Sequence, residues 1–284
     1  MLRKEHRMIY DIHTHFWNPE DVPLSFFEAA ERAGVQTQLL TFTAEDHLRA
    51  TEAVDRAVVF GMRAKGLRIS NDVVCAQVCR APDRLVFFTS VDPAEDGFMD
   101  ELERTHHDLG ARGIKLGPVY QGVHPADERY RRIYTYAQTH SLPVMIHMAT
   151  TFTADFPLEY ARPLHMDSIA CEYPGLKIIL AHLGHPWYGE TAAVIRRHPN
   201  VYADISALYY RPWQFYTALM TLAEYGVWRK VFFGSDFPFT LPCDSIRGLM
   251  EVNRIVKYSK LPQVPDEVIR GILESDPFTA LGIT

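Results

Sequence analysis

The chain has 284 residues, 47% of them hydrophobic, 12% aromatic and 23% charged, and its 29 Lys+Arg against 35 Asp+Glu give a formal net charge of −6. These values exclude a disordered, collagenous or disulfide-framework chain, and the acidic balance argues against a protein that holds a phosphate backbone, so nucleic acid is not an expected partner. No window approaches the roughly 18 apolar residues of a membrane span, and the basic start lacks the apolar stretch of a secretory signal. A cytoplasmic location without a membrane partner is therefore expected. The cysteines Cys75, Cys79, Cys171 and Cys243 are scattered, and Cys75 and Cys79, four apart on one helix face, read as buried thiols.

In chain order, eight short runs rich in Val, Ile and Phe read as strands: Met8–His15, Arg56–Met62, Leu85–Asp92, Arg112–Pro118, Pro143–Met148, Lys177–Leu183, Val201–Ala207 and Lys230–Phe237. Their near-continuous apolarity, as in Ile178-Ile179-Leu180 or Val231-Phe232-Phe233, is expected of strands buried on both faces of a parallel sheet. Between them, apolar positions repeat at helical spacing. Thr43 can N-cap a helix through about Asp55, with Asp46 in its first turn, and further helices fit Ser70–Ala81, Gly97–Leu109 and Asp127–His140. Leu164–Tyr173, Gly189–Arg197, Gln214–Tyr225, Asp244–Ser259 and Asp266–Leu273 complete the set.

No linker divides this alternation, which predicts an α/β protein: one (β/α)₈ barrel domain spanning 1–284. A doubly wound open sheet is the alternative, but the Gly-rich phosphate turn it should carry after its first strand is missing. The longest irregular stretch, roughly Thr150–Pro163 after the fifth strand, falls where a barrel places an active-site loop.

Polar residues gather at the strand ends. In Asp11-Ile12-His13-Thr14-His15, alternation along the strand sends His13 and His15 to one side, about 7 Å apart, from which two imidazoles can converge on one ion. His147 ends the fifth run, His182 the sixth and Asp236 the eighth, while Lys115 lies in the fourth, ahead of Gly117 and Pro118. Asp204 and Ser206 alternate with Val201, Ala203 and Ile205 and read as structural hydrogen-bonding groups facing the interior. Phe16, Trp17 and Trp187 follow strand ends and are candidates for an aromatic wall. Arg63, Arg162 and Arg211 are loop cations available to a substrate carboxylate, although each by itself is more commonly a solvated charge. His185 reads equally as a pocket-lining or an exposed loop residue.

Five of these segments, Asp11–His15, Gly113–Leu116, Leu142–His147, Leu180–Gly184 and Phe233–Pro238, resemble in order the strand motifs of the amidohydrolase superfamily. The resemblance is to its amidohydrolase-related branch, which includes aminocarboxymuconate-semialdehyde decarboxylase and resorcylate decarboxylases. It implies one divalent ion per chain, most often zinc, held by His13, His15, His147 and Asp236, with His182 and Asp236 as catalytic acid/base groups. Lys115 then either bridges two metals as a carbamate, as in binuclear relatives, or orients a substrate anion, and one metal is the favoured count. Lys115, Trp17, Arg162 and Trp187 are the expected substrate contacts.

The implied activity is hydrolysis of an ester, lactone or amide of a small carboxylated or cyclic molecule. The alternative is non-oxidative decarboxylation of an aromatic or unsaturated acid. Decarboxylases of this branch tend to carry extra lid segments, and 284 residues leave little chain for them, which tilts the expectation to hydrolysis. A homodimer is left open. Glu274–Phe278 stands where the family often has Gly-Asn-Ala, which leaves the closure of the last helix undetermined.

Overall fold

Every apolar run forms a strand, and the strands follow one another in parallel around a barrel. They are β1 (Tyr10–His15), β2 (Arg56–Phe60), β3 (Leu85–Phe87, continued by Thr89–Ser90), β4 (Ile114–Leu116), β5 (Val144–His147), β6 (Ile178–Ala181), β7 (Val201–Asp204) and β8 (Val231–Phe232). Phe88 joins the two halves of β3, its amide donating to the Val59 carbonyl at 3.0 Å. The ring closes between β8 and β1: Ile12 N donates to Phe233 O (3.0 Å), Asp236 N to His13 O (2.8 Å) and His15 N to Phe237 O (2.8 Å). The (β/α)₈ barrel expected from the sequence is thus the fold. The structure, a computed structural model, describes residues 7–35 and 40–283.

Alternation along the strands builds two apolar layers. Val144, Ile146, Ile178 and Leu180 face outward into the shell between barrel and helices. Their neighbours Met145, Ile179 and Ala181 face inward, with Ile12, Val58 and Phe60. The same period places Lys115, between outward Ile114 and Leu116, inside the barrel. The barrel floor is closed by the short helix Pro277–Leu281, whose Phe278 and Leu281 pack on Ile12 and Val58. Asp276 caps it by accepting from Thr279 N at 3.0 Å, so the departure at Glu274–Phe278 still yields a closed last helix.

The helices form close to their predicted ends. Thr43 accepts from Asp46 N while Asp46 accepts from Thr43 N, a capping box that starts Ala44–Ala50. The run expected over Asp244–Ser259 divides into a helix at Pro242–Met250 and a 3₁₀ segment at Val252–Val256. A helix at Leu24–Arg32, absent from the sequence expectation, follows Pro23 and carries Phe26 toward the barrel mouth. The cysteines depart from the buried thiols expected: Cys75 is half-buried, while Cys79, just past the helix end, is exposed. Among the described residues no helix is long and apolar enough to cross a membrane.

Candidate metal centre

The register of β1 against β2 shifts between Asp11 and Thr14. Such an irregularity re-aims the side chains beyond it. Ile12 therefore packs into the barrel floor, yet His13 and His15, one and three residues on, also face the interior: the ring of His13 lies 4.9 Å and that of His15 4.7 Å from Phe60. Asp11 fastens the turn from below by accepting from His13 N (3.0 Å) and, across the barrel seam, from Ser235 N (2.9 Å). Burial raises its carboxyl to a pKa of about 7.

Asp236, with φ +65°, sits in the left-handed region just past β8. Its Oδ1 lies 3.3 Å from both His13 Nε2 and His15 Nε2. Donors held about 2.1 Å from one ion at tetrahedral angles are about 3.4 Å apart, so this spacing fits a shared divalent cation. His13, His15 and Asp236 form one close group of donor atoms, and His13, His182 and Asp204 form a second. His147 belongs to neither group and reaches the centre through His182, whose Nε2 lies 3.1 Å from His147 Nδ1. His147 Nε2–H donates to the Ala149 carbonyl at 3.0 Å, which keeps the ring proton on Nε2 and leaves the Nδ1 lone pair free to ligate.

A carboxylate and a hydroxyl behind the histidines set their orientation. His13 Nδ1 donates to Asp204 Oδ2 at 2.9 Å, leaving the Nε2 lone pair directed at the centre. Asp204 also receives the amides of His182 (3.1 Å) and Ser206 (3.0 Å), and Ser206 Oγ lies 2.8 Å from His182 Nδ1. The hydrogen-bonding role read for Asp204 and Ser206 is therefore played at the centre itself. Positive φ at His182, Leu183 and Ala207 places three further non-glycine residues of these strand ends in a rarely used conformation.

Burial makes the imidazoles neutral, the form that ligates metal. It lowers His13 to about 4, aided by the charge of Lys115, and holds His15, His147 and His182 well below the usual histidine range. Burial also lowers Lys115 to about 8, against the opposing pull of Asp204 and Asp236. Its Nζ lies 3.4 Å from His13 Nε2 and 4.7 Å above the ring of Phe60. Asp236 is pushed well above the carboxylate range by burial, and Asp204 is held below it because its bonds to His13 and Ser206 outweigh the effect of burial.

A cavity of about 220 Å³ opens over the centre, with Lys115, His147, His182 and Asp236 at its base. Trp17 lines it, together with His185, Tyr120, Phe239 and the loop residues Thr150 to Phe152. Arg162 and Trp187, expected substrate contacts, do not line it. Arg162 pairs with Glu190 and lies over the Trp187 ring, 5.8 Å from its centroid, so the two residues engage each other outside the mouth. Tyr120 and Phe239 went unnoticed in the sequence; the only signal was their place two residues past the ends of the fourth and eighth apolar runs. A third donor group, His124, Glu159 and His165, lies away from the cavity and satisfies itself: His124 Nδ1 accepts from Ala126 N and His165 Nε2 meets Glu159 at 2.6 Å.

Buried imidazoles, carboxylates and a lysine gathered at the C-terminal mouth of a (β/α)₈ barrel define a metal-dependent enzyme of barrel type. The chain belongs to the amidohydrolase family: the profile described as Amidohydrolase matches residues 10–277. Solved structures similar in fold include an uncharacterized TIM-barrel protein from Bordetella bronchiseptica, at 20% identity and TM-score 0.70 over 93% of this chain and 95% of that one. A probable 2-pyrone-4,6-dicarboxylic acid hydrolase from Acinetobacter baumannii, with citric acid bound, matches at 15% identity and TM-score 0.67 over 97% and 99%. A dihydroxybenzoic acid decarboxylase from Polaromonas sp. JS666, with manganese and the inhibitor 2-nitroresorcinol bound, matches at 15% identity and TM-score 0.68 over 98% and 97%. Decarboxylases of 5-carboxyvanillate and 2,6-dihydroxybenzoate also match over 98% of this chain. No curated protein matches in sequence.

Proposed function

We propose that the protein is a metal-dependent, non-oxidative decarboxylase of a small aromatic or unsaturated carboxylic acid. The observation that carries this reading is a continuous aromatic wall running from the centre to the mouth. His15 meets Trp17 at 5.7 Å, Trp17 meets Phe239 at 6.4 Å, Phe239 meets Phe152 at 6.4 Å, and Phe152 meets Phe26 at 5.1 Å. Such a wall suits a flat, unsaturated substrate. Several relatives of the same fold are decarboxylases of hydroxylated benzoates. Chain length no longer favours hydrolysis, because the Polaromonas decarboxylase is matched over 97% of its own length.

His13, His15, His147 and Asp236 would hold one divalent ion, which would supply Lewis-acid chemistry at the cavity base. Three imidazoles and a carboxylate suit zinc, whereas the Polaromonas relative binds manganese; elemental analysis of the purified protein decides between them. Decarboxylation breaks the bond between the ring carbon and the carboxyl carbon. The electron pair stays on the ring carbon, which takes up a proton. His182, braced at Nδ1 by Ser206 and turned into the centre at Nε2, and Asp236 are the groups placed to hold and deliver that proton. Lys115 orients an anionic oxygen at the cavity base, and the aromatic wall excludes water from the ring.

Hydrolysis of a lactone by the same residues is the second reading, kept open by the Acinetobacter relative. Incubating metal-loaded protein with 2,6-dihydroxybenzoate, 5-carboxyvanillate and 2-pyrone-4,6-dicarboxylate separates the two. Release of carbon dioxide without ring opening of the lactone is expected; ring opening without carbon dioxide would overturn the decarboxylase reading.

A further inference from the structure

Beyond the barrel centre, one further group of side chains brings metal-ligating atoms together: His124, Glu159 and His165, whose donor atoms lie within 4.8 Å of one another. The two imidazoles are half-buried and the carboxylate is exposed. The rings of His124 and His165 meet edge to face at 4.6 Å between centroids, and the Tyr160 ring stands edge to face on His124 at 5.3 Å.

The backbone delivers the three from two different loops. His124 belongs to the loop after β4, between the short helix Pro118–Gln121 and the helix Glu128–Thr139, and its carbonyl accepts from Asp127 N at 2.9 Å. Glu159 lies in the 3₁₀ turn Leu158–Ala161 and His165 opens the helix His165–Glu172, both in the chain that follows β5. These two loops are already in contact: Phe156 packs on Gly122, where a Cβ would lie 2.3 Å from its ring. Nearer to β5, Thr150, Thr151 and Phe152 of the second loop line the cavity.

Among themselves, His165 Nε2 donates to Glu159 Oε1 at 2.6 Å and to the Glu159 carbonyl at 3.0 Å, while His124 Nδ1 accepts from Ala126 N at 3.1 Å. A divalent cation can take the place of the proton between His165 and Glu159, the imidazole then ligating through Nε2 with its own proton on Nδ1. His124 exchanges its Ala126 contact for the ion, and side-chain rotations close the donors to the separation of about 3.4 Å that a tetrahedral shell needs. Two imidazoles and a carboxylate, with water completing the shell, are a donor set for zinc-class ions, whereas magnesium and calcium prefer oxygen.

We propose that His124, Glu159 and His165 form a second divalent-metal site, for an ion of the zinc class, which ties the loop after β4 to the loop after β5 and so steadies the wall residues Thr150 to Phe152. The site is independent of the reaction at the barrel centre. With three protein donors, one of them exposed, it holds its ion less tightly than the four-donor centre proposed above, is emptied by dialysis and fills with added zinc.

The test is calorimetric titration of zinc into untagged protein whose centre has been loaded and which has then been dialysed. The wild-type chain is expected to take up one further zinc, and His124→Gln and His165→Gln to lose that uptake, with thermal unfolding verifying that the variants fold. Hydrogen exchange followed by mass spectrometry reads the loop: added zinc should slow exchange over residues 150–163 in the wild type and leave it unchanged in both variants. No further uptake by the wild type, or equal uptake by the variants, as for a second ion beside Lys115, would overturn the site. Uptake through these residues with unchanged exchange over 150–163 would overturn the tie between the loops.

Discussion

The His13 ring meets four side chains within hydrogen-bonding reach: Asp204 and Ser206 behind it, Asp236 before it and Lys115 beside it. A metal-ligating imidazole owes its tautomer and direction to the group behind it, so Asp204→Asn is expected to weaken metal affinity about 10- to 100-fold, measured by equilibrium dialysis. Removing a ligand acts differently from removing a proton carrier. His147→Ala and Asp236→Ala should lose bound metal and turnover together, whereas His182→Ala should keep most of one metal equivalent and lose turnover, as read by elemental analysis beside the activity assay. Retained turnover in His182→Ala would contradict its role. The gathering of these polar residues at one end of the barrel was legible in the sequence because each lies at or near the end of an apolar run. Arg162, read as a loop cation, and Trp187, read as an aromatic residue following a strand end, do not line the cavity, because whether such a residue turns inward depends on partners such as Glu190 that lie far along the chain.

The elements supply the precision. The irregularity in β1 lets Ile12 serve the floor while His13 and His15 serve the centre, an arrangement that strict alternation does not foretell. Gly234, after β8, passes directly under His13: a Cβ there would lie 2.8 Å from His13 Cβ. Gly234→Ala is therefore expected to displace His13, reducing metal content and lowering the melting temperature, and unchanged metal content in a folded variant would refute this account of the contact. The helix Leu24–Arg32 was missed in the sequence although Phe26, Ala29 and Ala30 stand at helical spacing; Ala29 and Ala30 are its buried residues, and it carries Phe26 to the cavity.

For the whole molecule, the barrel was readable because strands buried on both faces leave long apolar runs, and eight of them in alternation with helices admit few architectures. The cavity walls were readable only in part, in Trp17 and the loop after β5, since the rest comes from loops and a helix far apart in sequence. Burial also ties stability to pH. His47 is buried between Phe16 and Phe237, accepts from Gln77 Nε2 at 3.1 Å, and is lowered to about 4 by burial and then by Arg84. Unfolded histidine titrates near 6.5, so between these values the unfolded chain binds the extra proton. The stability contributed by neutral His47 is complete above about pH 6.5 and is lost as the pH falls toward 4, up to about 3 kcal/mol. The melting temperature should drop across that window, and less steeply in His47→Gln, which cannot titrate.

The central claim is that a proton replaces a carboxylate on an unsaturated carbon. It is tested most directly by running the metal-loaded enzyme with 2,6-dihydroxybenzoate and 5-carboxyvanillate in deuterium oxide and following the product by proton NMR. Decarboxylation predicts carbon dioxide release and one deuterium at the vacated ring position. With 2-pyrone-4,6-dicarboxylate in the same solvent, a ring-opened acid formed while neither benzoate loses its carboxylate would contradict the account.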